Sequence, residues 1–111
     1  MWFFLTVQLS FGQQSAGKAS STYTISGTVI DAVSKQPMEY ATVALLNGQD
    51  SSLVGGIASD INGKFSVETK LPGLYILRVG FIGFHQIYTD ITLTAESRDL
   101  YVGNIELHPR S

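Results

Sequence analysis

An all-β chain folded as one seven-stranded antiparallel sandwich is predicted by three observations. Apolar and polar residues alternate with period two in one short stretch after another. Glycine, proline and Asn-Gly turns bound these stretches, at the spacing of about 8–12 residues that marks sandwiches. No run of ten or more residues carries the periodicity of an amphipathic helix.

The elements follow in order. Tyr23, Ile25, Gly27 and Val29 alternate with Thr24, Ser26, Thr28 and Ile30, which predicts a half-buried first strand. Asp31 to Met38 contains Ser34, Lys35 and Pro37 and reads as a loop. Thr42 to Leu46 is almost wholly apolar, so the second strand is expected at the centre of a sheet. Asn47 to Ser52 is a polar turn. Leu53 to Ser59 is a third strand, weakened by Gly55-Gly56, which suggests a bulge or an edge. Asn62-Gly63 turns the chain, because both residue types tolerate positive φ. Phe65, Val67 and Thr69 mark the inward face of the returning strand.

Leu71-Pro72-Gly73 is a further turn. Tyr75, Leu77, Val79 and Phe81 face inward on a long fifth strand, with Arg78 outward and Gly80 and Gly83 allowing a bend. Ile87, Thr89, Ile91 and Leu93 define the sixth strand, and Ala95 to Asp99 is a turn. The last strand runs from Leu100 to Leu107. Its register is open: Tyr101, Ile105 and Leu107 give one face and Leu100 and Val102 the other, unless a bulge near Gly103 reconciles them. The expected core is Ile25, Val29, Val43, Leu45, Phe65, Val67, Tyr75, Leu77, Val79, Ile87 and Ile91.

Composition limits the functional classes. A chain of 111 residues is one domain, and its hydrophobic content of 44% suits a folded protein. The net charge is −2 with no basic cluster, which argues against nucleic acid as a partner. The absence of cysteine removes disulfides, thiolate metal sites, a cysteine nucleophile and a lipid-anchored amino terminus. The stability of the fold must come from sheet ladders and core packing.

Residues Trp2 to Phe11 are apolar apart from Thr6, Gln8 and Ser10. This run is shorter than the roughly 20 residues of a membrane-spanning helix and fits the apolar region of a signal peptide. Ser10 and Gly12 place small residues three and one before Gln13, as signal peptidase requires. No Lys or Arg precedes the run, and the competing reading is a first strand or strand-like arm. The resulting organisation is a signal peptide at 1–12, a tether at 13–21, the sandwich at 22–108 and the start of a linker at 109–111.

The ordered set Gly27-Thr-Val29 with Asp31, Pro37 with Ala41-Thr-Val43 and Leu45, Asp60 with Gly63 and Phe65, and Gly73-Leu-Tyr75 with Leu77 resembles the carboxypeptidase regulatory-like domain family. The resemblance covers about residues 23–107 and implies a transthyretin-like (prealbumin-like) sandwich. Within that family the chain is similar to the periplasmic domain that precedes the plug and barrel of TonB-dependent receptors and related outer-membrane β-barrel proteins. The resemblance therefore implies export to the periplasm or the periplasmic face of the outer membrane, and a place at the N-terminus of a longer protein. Its partners would be the plug and barrel of the same protein, and periplasmic proteins. The alternative is a stand-alone secreted module that binds carbohydrate or protein.

No residue set for catalysis or cofactor binding is found, so a non-enzymatic role without cofactor is expected. His85 and His108 are the only histidines, and no His-x-x-Glu pair accompanies them for zinc. Asp60, Asn62 and Gly63 form a fragment of a calcium loop without its closing Glu; Asp60 is expected to accept backbone N–H bonds in its own turn. A Lys–Asn isopeptide bond would need a lysine in the first strand, which has none. Two candidate interaction features remain. Leu53, Val54, Gly55, Gly56 and Ile57 could form an exposed edge that accepts a partner strand. Phe84, Tyr88 and Tyr101 are candidate outward aromatics for sugar rings. Mass spectrometry of the exported protein should find a mature amino terminus near Gln13; an intact Met1 on folded protein would instead support the strand-like arm.

Overall fold

The computed structural model describes residues 22–110. The expected signal peptide (1–12) and tether (13–21) lie outside the described residues. The described residues form seven strands and no helix: β1 (Tyr23–Asp31), β2 (Thr42–Asn47), β3 (Leu53–Ala58), β4 (Lys64–Thr69), β5 (Gly73–Gly80), β6 (Ile87–Leu93) and β7 (Asp99–Leu107). They make two sheets, β4-β1-β7 and β3-β2-β5-β6. The apolar β2 is internal to its sheet, as its composition predicts.

The sandwich is not wholly antiparallel. Four pairings are antiparallel, but β1 and β7 run parallel. Alternation reports which face a residue takes and is silent on strand direction, so the sequence reading could not detect this. The parallel pair joins the first and last strands, and therefore sets the chain's path. The chain enters at Tyr23 at one end of the sandwich and leaves past Leu107 at the other, roughly 30 Å away at the usual rise per strand residue.

The core forms where the two inner faces meet. Ten of the eleven expected core residues are buried; Ile87 is half-buried and packs against the rest. Tyr23, Met38, Ala41, Leu93, Ile105 and Leu107 complete the core. Phe81 departs from expectation. β5 ends at Gly80, and Phe81 is partly exposed in the following turn, where its carbonyl accepts the Phe84 N–H at 3.0 Å.

A bulge resolves the register of β7. Ser26 pairs with Tyr101 and Thr28 with Asn104, so Val102 and Gly103 together face Gly27. Gly103 takes φ +81, which a glycine adopts at little cost. The extra residue restores the inward phase. Leu100 and Val102 pack on the same core as Ile105 and Leu107, while Tyr101 turns outward. Gly27 makes room for this. A Cβ there would lie 2.8 Å from the Gly103 carbonyl oxygen, 2.8 Å from Val102 Cγ2 and 2.9 Å from Phe65 Cζ.

The two ends are closed differently. At the entry end, Tyr75 donates its hydroxyl to the Leu71 carbonyl at 2.6 Å and lies 3.1 Å from Thr69 Oγ1. The Arg98 guanidinium stacks 5.0 Å over the Tyr23 ring, a contact worth about 0.5–2 kcal/mol. In the turn after β2, Ser52 donates its N–H and hydroxyl to Asp50, which holds that carboxyl below its ordinary pKa. At the exit end, Pro109 does end β7. The expected linker, however, does not begin there: Pro109 bridges Phe84, Arg110 N donates to the Gly83 carbonyl at 2.8 Å, and His85 N donates to the His108 carbonyl at 2.9 Å. The folded body therefore extends through Arg110.

Phe65→Ala should cost about 3–5 kcal/mol in urea unfolding, and Gly27→Ala about 1–3 kcal/mol through overpacking. Because Phe65 is one of the atoms a Cβ at Gly27 would strike, the double variant should cost less than the sum of the two. Full additivity would show that the Phe65 ring does not press on β1.

Candidate functional site

The predicted edge is an edge. β3 bonds to β2 on one side and ends its sheet on the other. Leu53, Val54 and Ile57 are exposed at 68%, 41% and 44%, Gly56 is exposed and Gly55 is half-buried. Leu53–Ala58 contains no charged residue and no proline, the usual devices that blunt an edge. One device is present. Leu45 pairs with Gly55 and Leu46 with Leu53, so Val54 is the extra residue of a bulge. That bulge locally kinks the strand and leaves the Gly55–Ala58 stretch as the regular part of the edge.

The aromatic candidates do not converge. Tyr88 is 60% exposed on the outer face of the four-stranded sheet, opposite Arg78, and donates to Gln86 Oε1 at 3.1 Å. Tyr101 is 67% exposed on β7, in the other sheet. Phe84 is half-buried against the core and meets Phe81 edge to face at 5.9 Å between centroids. Two lone tyrosines on opposite faces and one packed phenylalanine make no shared sugar platform.

The loops of the exit end are stiff. Asp60 Oδ1 accepts the Asn62 N–H at 2.8 Å and the Lys64 N–H at 2.9 Å, the turn-capping role expected of it. Gly63 takes φ +76, and a Cβ on it would come within 2.5 Å of the Val29 carbonyl oxygen, so this turn sits directly on β1. Ser59 is buried, donates its hydroxyl to the Met38 carbonyl at 2.5 Å and accepts the Ala41 N–H at 2.8 Å. It staples the loop before β2 to the end of β3. Sequence reasoning gave Ser59 no role, since a serine ending a strand looks like any surface serine. On this framework Val33, Tyr40, Ile61 and Ile82 stand exposed at 73%, 69%, 70% and 93%.

The two histidines, 23 residues apart in the chain, are neighbours in the fold. The backbones of His85 and His108 are bonded side by side, and both residues are exposed. Among the described residues, no three His, Asp or Glu side chains gather as a metal site would need. No helix of the described residues is long and apolar enough to cross a membrane.

Residues 24–108 match the family described as the carboxypeptidase regulatory-like domain. No curated protein matches the chain significantly. Among solved structures, the chain is similar to BcpA, the major pilin subunit of Bacillus cereus, with a TM-score of 0.67 at 17% identity, over 81% of this chain and 31% of that one. It is similar to the shaft pilin spaA from Lactobacillus rhamnosus GG, with a TM-score of 0.59 at 16% identity, over 81% of this chain and 48% of that one. It is also similar to hydroxyquinol 1,2-dioxygenase from Pseudomonas putida, with a TM-score of 0.61 at 12% identity, over 80% of this chain and 57% of that one. The chain thus spans about a third to just over half of these proteins, and the likeness is one of fold.

Because Leu53 and Val54 are exposed beside an unpaired backbone, Leu53→Lys and Val54→Lys should leave the thermal midpoint nearly unchanged, within roughly 0.5 kcal/mol. They should also suppress concentration-dependent aggregation on mild heating. Aggregation that proceeds unchanged in both would show that this edge does not govern association.

Proposed function

We propose a role from one premise: this chain belongs to the carboxypeptidase regulatory-like domain family. It acts as a non-enzymatic accessory module at the N-terminus of a longer exported protein. The protein is an outer-membrane β-barrel of the TonB-dependent receptor kind, and the module sits on its periplasmic side. The observation that carries this reading is the parallel β1–β7 pair. It makes the sandwich a bead with the chain entering at one end and leaving at the other. An in-line module needs that geometry, and a domain hanging from two adjacent termini lacks it.

Other features support the reading. The fold neighbours among pilins contain this sandwich as about a third to a half of their own length, so it serves there as one part of a longer chain. The exit end, which faces whatever follows, carries Val33, Tyr40, Ile61 and Ile82 on stiff loops. Apolar residues on a fixed frame suit contact with a plug. The β3 edge is open to a periplasmic partner strand, whose main-chain bonds would provide affinity and whose side chains would meet Leu53, Val54 and Ile57. The second reading, a stand-alone secreted module binding carbohydrate or protein, has the exposure of Tyr88 and Tyr101 in its favour.

The test is deletion of residues 22–110 from the full-length protein with its signal peptide kept. The expected result is a barrel that still inserts while ligand uptake falls. Unchanged uptake would overturn the coupling role. A stop codon directly after Ser111, with glycan binding lost in Tyr88→Ala or Tyr101→Ala, would establish the second reading instead.

A further inference from the structure

A groove of about 570 Å³ opens on the outer side of the four-stranded sheet at the exit end. Thr42, Arg78 and Gly80 line it from the sheet, residues 81–86 from the β5–β6 connection, and Arg110 from the chain's exit. Its lining contains two arginines, a histidine, a glutamine and a threonine, and no acidic residue. Among the described residues, neither arginine has a carboxylate within ion-pair distance. The ion pair among the described residues is Lys35–Glu106, and neither residue lines this groove. Asp90 shares the sheet face one pair along from Arg78 and Tyr88, yet lies beyond ion-pair distance. Residues 1–21 contain no Asp or Glu that could supply the missing charge.

Two guanidiniums on one groove, in a chain of net charge −2, concentrate positive charge where the composition does not require it. Each presents a planar fork that matches a carboxylate. Thr42 and Gln86 add neutral hydrogen-bonding groups. The apolar lining comes from Phe81, Ile82 and Phe84. Neither Tyr88 nor Tyr101 lines the groove, and its aromatic residues, Phe81 and Phe84, pack edge to face on each other. A carboxylate beside an aliphatic side chain is the chemistry that fits, as in a peptide with Glu or Asp next to an apolar residue. The wall is held in advance: Arg110 N bonds Gly83 O, His85 N bonds His108 O, Phe81 packs on Phe84, and Gln86 lies over Gly80. Binding therefore has to order the arginine side chains and not the backbone that carries Arg110.

We propose that this groove binds an acidic, apolar-flanked peptide segment of a protein partner, with Arg78 and Arg110 holding its carboxylate. The proposal is independent of the β3 edge and of the barrel context, because its test reads binding by the chain itself. The isotope-labelled 111-residue chain is titrated by NMR with acetyl-Leu-Glu-Leu-amide and with acetyl-Leu-Gln-Leu-amide. The expected result is saturable shifts at Gly80, Gly83 and Arg110 with the Glu peptide alone. Arg78→Gln and Arg110→Gln should each weaken binding roughly tenfold, the usual worth of a charge-assisted hydrogen bond, with thermal midpoints unchanged. Arg78→Lys, which keeps the charge and loses the fork, should weaken it as well. The proposal falls if the Gln peptide binds equally, if the shifts lie elsewhere or do not saturate, or if the arginine variants bind like the parent. Tighter binding of sodium glucuronate than of the Glu peptide would overturn the peptide assignment.

Discussion

Gly27 is the position on which most of the structure depends. It lies in β1, the middle strand of the three-stranded sheet, with β4 on one side and β7 on the other. Three atoms of three different residues close on the space a side chain would need, one from the Phe65 ring and two from the β7 bulge. With that space vacant, Phe65 reaches the core and Val102 packs beside it. The bulge then shifts the phase of β7 so that Leu100, Val102, Ile105 and Leu107 share the inner face. A methyl group at Gly27 would force either the ring or the bulge away, and both are needed to fill a small core.

The same strand pair determines how the molecule can be used. β1 and β7 run in one direction, so entry and exit lie at opposite ends. The exit end is then stiffened from several elements. Asp60 ties its own turn, Gly63 rests that turn against Val29, Ser59 staples the loop before β2, and the last residues pair with the β5–β6 connection. Exposed apolar tips and the arginine groove are both carried on that frame, so this end combines exposure with rigidity. The edge of β3 is a second, separate surface, offering backbone bonds in place of side-chain chemistry.

Period-two alternation, together with the glycine and proline turns, was enough to place seven strands and most of the core, because facing in or out is a local property of a pleated strand. The order of motifs also carried the family, and the double glycine marked the β3 edge. Asp60 could be read as a turn cap because its partners lie within four residues of it. Four features depended instead on residues far apart in the chain. They are the parallel pairing of β1 with β7, the face taken by Tyr101, the packing of Pro109 and Arg110 beside Gly83 and Phe84, and the placement of Arg78 and Arg110 on one groove. Strand direction, bulge phase and the shape of a groove are decided when sheets assemble, since none of them changes the local pattern of apolar and polar residues.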